Sequence, residues 1–235
     1  MSGCAPIEII YDCPEFTVCV KPCGVNSQDC PGGMPELLCD ATGWQGGFFT
    51  VHRLDHEVGG VMVYAKSQAS AAELTRQLGD GGFDKRYLAV LCATEQRLPG
   101  ESGVLRDLLY HDRVRNKTYV VDRKRAGVRE AVLEYRCVAS VEAGAEFPAG
   151  LCLVDVHLLT GRTHQIRVQF ATRKVPLLGD AKYGGQRAAG FGLWAYRLSF
   201  RDPRDGERCS FFRMPPEDHP AYVRFRDEIL KCKED

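Results

Sequence analysis

An aspartate set between an arginine and a flexible turn can do chemistry, and Val51-His52-Arg53-Leu54-Asp55, followed by Gly59-Gly60, supplies one. A carboxylate held by a neighbouring guanidinium stays ionised, so it can attack a sugar or base carbon or remove a proton. The same segment also suits a structural ion pair with Arg53 or a turn-capping Asp, and taken alone it leaves these readings open. In Lys85-Arg86-Tyr87-Leu88-Ala89-Val90 a phenol lies on a strand, where Tyr87 and Ala89 share a face. Tyr87 could stack on a flipped base and offer its hydroxyl to a proton in transit, or serve as a core aromatic. In Gly161-Arg162-Thr163-His164-Gln165-Ile166-Arg167 two arginines stand five residues apart. On one helix they would diverge by about 140°, one toward phosphate at the helix start and the other inward, where it needs an anion. His164 is read as a local hydrogen-bonding residue.

Metal and cofactor chemistry find little support. His52 and His56 are four apart but lie in a turn-like segment without a third ligand of matching spacing. No phosphate-binding glycine loop or dinucleotide fingerprint is present, so no cofactor is implied. Eleven cysteines is an odd number in a long chain, which favours reduced thiols over a disulfide scaffold. Cys13, Cys19, Cys23, Cys30 and Cys39 lack the two-residue spacing of zinc ribbons. Cys92, Cys137 and Cys152 fall in apolar strand-like runs, where a thiol acts as a small core hydrophobe.

Thirty-one basic and thirty-one acidic residues cancel, yet their distribution is uneven. Residues 1–50 carry one Lys and no Arg against six acids, whereas residues 113–136 carry eight basic residues against Asp122, Glu130 and Glu134. A local basic strip suits a nucleic-acid track, since phosphate contacts depend on local charge, and it also suits a solvated charged face. No apolar run approaches the roughly 20 residues of a membrane span, and Met1 to Pro6 lacks the pattern of an export signal. The expectation is a cytoplasmic protein, monomeric by default, with one domain over residues 1–235.

The elements that must position these residues follow from periodicity and punctuation. Strands are expected at Ile7 to Tyr11, Phe16 to Lys21, Val61 to Ala65, Arg86 to Cys92, Thr118 to Val121, Ala131 to Val138 and Leu151 to Leu158. The stretch Cys23 to Gly47, rich in Gly, Pro, Cys and Asp, reads as a loop. Ser67 caps a helix that turns Ala71, Leu74, Thr75 and Leu78 to one side and ends at Gly79. Ala143 to Gly150 is a hairpin connection, and Thr160-Gly161 is placed to cap a helix carrying Ile166 and Phe170. Pro176 to Gly185 reads as a loop, Phe191 to Phe200 and Arg208 to Phe212 as strands, and Pro220 to Lys231 as a closing helix. Many strands against few helices indicate an α+β fold with a largely antiparallel sheet.

Taken in order, the segments resemble the RluA family of RNA pseudouridine synthases. The likeness runs through Val20-Lys21-Pro22-Cys23-Gly24, the Asp55 and Tyr87 segments, Arg115-Asn116-Lys117 with Glu130-Ala131, Gly161 to Arg167, and Leu177-Leu178-Gly179-Asp180-Ala181-Lys182-Tyr183-Gly184. The resemblance implies a mixed, largely antiparallel sheet with flanking helices around a central catalytic cleft. It implies Asp55 as the catalytic aspartate, Tyr87 as the tyrosine beside the base and Arg167 as partner of the Asp55 carboxylate. Arg53 corresponds to the arginine that can fill the space left by a flipped nucleotide, and His52, Arg162, Arg115, Lys117 and Lys182 are the accompanying candidates for RNA contact.

The implied reaction breaks the glycosidic bond of a uridine, turns the uracil and rejoins it through carbon 5, with neither metal nor nucleotide cofactor. One carboxylate suffices where the base is retained, whereas glycoside hydrolysis usually needs two. Base flipping costs less from a loop than from a helix, so the expected partner is a stem-loop in ribosomal or transfer RNA. Two departures stand out: Val58-Gly59-Gly60 replaces the common Thr-Ser-Gly, removing two hydroxyls, and Gln169 stands where His is common. The small N-terminal RNA-binding domain of many relatives is expected to be absent. The competing readings are an inactive RNA-binding or chaperone module of the same fold, and a cysteine-rich metal or redox protein.

Overall fold

The computed structural model describes residues 6–93, 98 and 100–231, so most of the stretch read for an export signal lies outside the described residues. The fold is α+β, and its chain divides into two compact units, residues 1–85 with 195–213 and residues 86–194 with 214–235.

In the first unit, β1 (Glu8–Asp12), β2 (Phe16–Lys21) and β4 (Gly59–Ala65) are neighbours in that order, with the two-residue β3 (Phe49–Thr50) also pairing β4. These pairings are antiparallel, and Lys21 lies opposite Gly60. β10 (Leu193–Arg201) follows β4 and pairs antiparallel with β11 (Arg208–Phe212). One face packs Phe16, Val18, Val61, Val63, Leu198 and Phe200 around Leu74 of α2 (Gln68–Gly79). Phe83 stacks on Phe200 at 5.3 Å and Phe16 meets Phe200 edge-on at the same distance, the geometries that ring quadrupoles favour.

The Ser67 cap is made as expected, its side chain accepting from the Ser70 N–H at 3.1 Å. Thr75, however, faces solvent, and Ser70 and Gln77 join Leu74 on the buried side. Gln77 bonds both ways to the Arg201 backbone, which is why a polar residue can sit there. The stretch read as one loop from Cys23 to Gly47 contains a helix, α1 (Met34–Thr42). Its Pro35 and Gly43 act as helix start and stop, with Gly43 left-handed at φ 71°.

In the second unit the strand order is β5 (Asp84–Leu91, of which Arg86 onward belongs here), β9 (Leu151–Leu158), β8 (Val128–Val141), β6 (Ser102–Asp112) and β7 (Lys117–Val121). All four of these pairings are antiparallel, and β8 and β9 form the expected hairpin. β6 is an element that the sequence reading does not assign. A bulge between Cys137 and Ala139 brings Cys137 Sγ within 3.1 Å of Cys152 Sγ. Cys92 and Cys152 are buried and Cys137 is half-buried.

The helix α3 (Gln165–Thr172) packs on this sheet through Val168, which meets Leu109 and Ala131, and through Phe170, edge-on to Tyr135 at 5.6 Å. It starts later than Thr160-Gly161 suggests. His164 is its left-handed N-cap at φ 54° and makes no side-chain cap bond. Gln165 instead ties down the preceding turn: its Oε1 accepts from Thr160 Oγ1 at 2.7 Å and from the Arg162 N–H at 3.1 Å. In place of the one longer helix expected from Pro220, the described residues form a 3-10 turn, Val223–Phe225, and a short α4 (Arg226–Lys231).

Candidate active site

Asp55 sits in the first unit, on the loop between β3 and β4, and the loop is pinned from within. Val51, Leu54 and Val58 are buried on either side of it, each such side chain contributing about 1.5–3 kcal/mol, while Asp55 is half-buried and Arg53 exposed. Ser27 Oγ donates to the Leu54 carbonyl at 2.5 Å and accepts the Leu54 N–H at 3.0 Å, and the Val58 N–H closes a turn onto the Asp55 carbonyl.

Beneath the loop lies Lys21, whose Nζ donates to the carbonyls of Val25 (2.6 Å), Pro22 (2.8 Å) and His56 (3.2 Å). Burial pushes the Lys21 ammonium down to about 8, against the opposing pull of Cys23, Asp55 and Glu57. The Gly60 of the departing Val58-Gly59-Gly60 segment has a structural reason: its φ is 128°, and a Cβ there would lie 2.2 Å from the Ala195 carbonyl oxygen.

His52 takes a different part from the RNA contact expected of it. Its Nε2 accepts the Val63 N–H at 3.1 Å, and its ring lies edge-on to Phe83. Burial, with the charge of Lys85 as the lesser cause, brings its pKa down to about 3, so at neutral pH it offers no positive charge to a phosphate. The unfolded chain binds a proton at His52 below about pH 6.5 and the folded chain does not, so His52 makes stability fall as pH drops from 6.5 toward 3. In His52→Gln, which keeps an acceptor and cannot titrate, urea unfolding between pH 7 and pH 4 is expected to lose less stability than in the parent. Parallel pH profiles would refute this assignment.

Tyr87 and Arg167 lie in the second unit. Tyr87 is buried on β5 opposite Val156 of β9, next to an Arg86–Asp155 ion pair of 3.3 Å. Arg167 is buried on α3, and its Nε and Nη2 each donate at 2.8 Å to the two oxygens of Asp180. The guanidinium also lies 5.2 Å from the Tyr183 ring and 5.1 Å from that of Phe191. A planar cation fixed by a two-pronged carboxylate and flanked by rings is held in one orientation. Sequence reasoning quoted Asp180 within a family segment but assigned it no role. Its signal was the glycine on its N-terminal side: Gly179 is left-handed, and a Cβ there would meet the Gly190 carbonyl at 2.4 Å.

Tyr183 links this arginine to the surface. Its hydroxyl accepts the Thr118 N–H at 2.8 Å and lies 2.9 Å from His164 Nδ1, and burial raises its pKa, so it stays protonated. His164 thus bonds to a residue nineteen positions away, where the sequence suggested a local partner. Gln169, the second departure, is wholly buried and donates to Asp107 Oδ2 (2.7 Å) and to the Leu105 carbonyl (3.2 Å), tying α3 to β6.

The candidates for RNA contact in this unit gather in part. Lys182 Nζ donates to the Asn116 carbonyl at 3.2 Å, and Lys117 Nζ lies 5.4 Å from the Tyr183 ring, so Arg115, Lys117 and Lys182 share one end of the unit. Arg162 is exposed ahead of α3, not on it, and its Nε donates to the Glu130 carbonyl. Among the described residues no group of three or more His, Cys, Asp or Glu is arranged to hold a metal, and no helix is long and apolar enough to cross a membrane.

Comparison with known proteins agrees with these motifs. Residues 15–172 match the family described as RNA pseudouridylate synthase. An uncharacterized RNA pseudouridine synthase of Aquifex aeolicus is 32% identical over 250 residues, covering 95% of this chain and 74% of its own length. The ribosomal large subunit pseudouridine synthase D of Zymomonas mobilis is 28% identical, covering 91% of this chain and 70% of its own length. Among solved structures, human RNA pseudouridylate synthase domain containing 1 superposes with a TM-score of 0.75 at 21% identity, over 92% of this chain and 86% of that one, which supports the shared fold. This chain therefore belongs to the RNA pseudouridylate synthase family of RluA type, isomerases that act on RNA.

Proposed function

We propose that this chain converts specific uridines of ribosomal or transfer RNA to pseudouridine, with Asp55 as the catalytic carboxylate. The observation that supports this best is the construction of the Asp55 loop. Its apolar residues are buried and its backbone is fastened to Lys21 and Ser27, while the carboxylate stays half-exposed, a preorganised acid that substrate can reach. In this reading the glycosidic bond of a flipped uridine breaks, the uracil rotates, its carbon 5 bonds to the ribose and the proton on carbon 5 leaves. Asp55 serves either as nucleophile toward the ribose or as the base that removes a proton from it. Tyr87 lies beside the base, and Arg167 is the cation that serves the carboxylate.

Arg53, Arg162, Arg115, Lys117 and Lys182 are proposed to hold phosphates of the flanking RNA. The compartment that goes with such substrates is the cytoplasm, and one chain suffices for the chemistry. The Zymomonas relative is named for the large ribosomal subunit, which makes ribosomal RNA the first substrate to try. Incubating the protein with unmodified ribosomal or transfer RNA tritiated at uridine carbon 5 is expected to release tritium to water from one of the two. Tight binding to both RNAs without release from either would overturn the reading.

A further inference from the structure

The sheet of the second unit has α3 on one face only, and its opposite face carries an aromatic pair edged with cations. Tyr110 of β6 and Tyr119 of β7 are directly paired, so their rings lie on the same face. Leu109 and Val120, adjacent to them in sequence, point the other way into the cluster with Val168 of α3. Tyr119 is 36% exposed, high for so large an aromatic on a strand. Each ring has a cation beside it: Arg125 lies 5.2 Å from the Tyr110 centroid, and Lys117 Nζ, shared with Tyr183, lies 5.9 Å from that of Tyr119.

Arg125 comes from the turn between β7 and β8, where left-handed Gly127 (φ 80°) lets the backbone close over Tyr110, with only 3.5 Å between its would-be Cβ and the ring. The same turn forms a cleft of about 730 Å³ lined by Val120, Val121, Asp122, Arg123 and Arg125. Acids around the pair are already engaged: Glu130 with Arg106 at 2.9 Å, Asp122 with Arg123 at 3.6 Å and Asp112 with Arg115 at 3.9 Å. Lys124 and Arg125 remain as exposed positive charge, whereas Arg129, paired with Leu109, points to the α3 side.

The geometry points to a second RNA contact on this face, in which Tyr119 and Tyr110 stack successive bases of a single-stranded segment while Lys117, Lys124 and Arg125 follow its phosphates. Stacking rings interleaved with cations bind single strands whatever their sequence, because every base presents a π-face and every linkage a charge. A duplex keeps its bases stacked on each other and offers only its phosphates. The occupant is therefore the unpaired RNA flanking the target stem-loop. This rests on the proposed action on RNA, but binding alone tests it, so it stands or falls separately from isomerisation.

The test measures the affinity of the full chain for a labelled oligouridylate and for an RNA duplex of equal length, in the parent, Tyr119→Ala and Tyr119→Phe. Tyr119 is the more exposed ring, so its truncation leaves the core intact, and unchanged thermal melting confirms this. The alanine variant is expected to bind oligouridylate about tenfold more weakly and duplex within about twofold of the parent, with the phenylalanine variant close to the parent on both. Three results would overturn the proposal: equal affinities in all three proteins, equal losses on duplex and single strand, or a loss in Tyr119→Phe matching that in Tyr119→Ala. A parent that binds no oligouridylate would overturn it too.

Discussion

Asp55→Asn is expected to lower tritium release from 5-tritiated RNA by at least about a thousandfold, with RNA affinity and melting temperature little changed. The substitution keeps the shape of the side chain and removes the charge that either nucleophilic attack or proton abstraction needs. Losing the group on which covalent or acid–base chemistry turns typically costs about three or more orders of magnitude in rate. The backbone of the loop that carries it is held by other groups: Leu54 and Val58 bury its flanks, and Ser27 and Lys21 bond its main chain. The loss should therefore fall on kcat, because phosphate contacts made elsewhere set most of the affinity. Release within tenfold of the parent would remove Asp55 from the chemistry.

The largest expected effect on stability is at Asp180. In Asp180→Asn the guanidinium of Arg167 stays buried, 5% exposed at its side chain, without the carboxylate that takes its Nε and Nη2. Breaking a buried pair from one side typically costs about 3–5 kcal/mol, because the remaining charge keeps its desolvation penalty. The rings of Tyr183 and Phe191 lie against the guanidinium, but a quadrupole does not replace a full negative charge. A chain of this size should then melt lower by about 10 °C. Replacing both partners, as Arg167→Met with Asp180→Leu, should recover part of the loss, since the buried guanidinium is gone with its carboxylate. Urea unfolding showing less than about 1 kcal/mol of destabilisation in Asp180→Asn would mean that the pair does not carry the packing of α3.

Local pattern was legible wherever one element settles its own fate. β2 and β9 have the bounds expected from their apolar runs, and α2 starts at the Ser67 cap because that bond is made within four residues. α1 stayed hidden because Pro35 and Gly43, which start and stop a helix, are also the residues of turns, and cysteine and aspartate blurred the rest. β6 carries Arg106, Asp107, His111 and Asp112 among its apolar residues, and these find partners on β8, at the C-cap of α3, on β7 and in the next turn, all still to come in the sequence.

The candidate residues divide along the same line. The exposure of Arg53 and the burial of Tyr87 agree with their segments. The neutral ring of His52 depends on burial and the Lys85 charge, its orientation on the Val63 N–H eleven residues away, and the orientation of Arg167 on Asp180 thirteen residues away, none of which spacing reveals. Gln169 looked like a departure at the site, yet its bonds to β6 show what it does: it fixes the helix that carries Arg167.

The fastening of the Asp55 loop also bears on how such a chain can diverge. Lys21 donates to the loop at the His56 carbonyl and to the segment after β2 at those of Pro22 and Val25, all main-chain oxygens, and any amino acid has such an oxygen to give. Three of the four positions are thus free to change their side chains under selection for a new RNA without loosening the grip. The constraint concentrates on one lysine, whose replacement would take a donor from the Pro22 and Val25 carbonyls while the His56 carbonyl kept the Gly24 N–H.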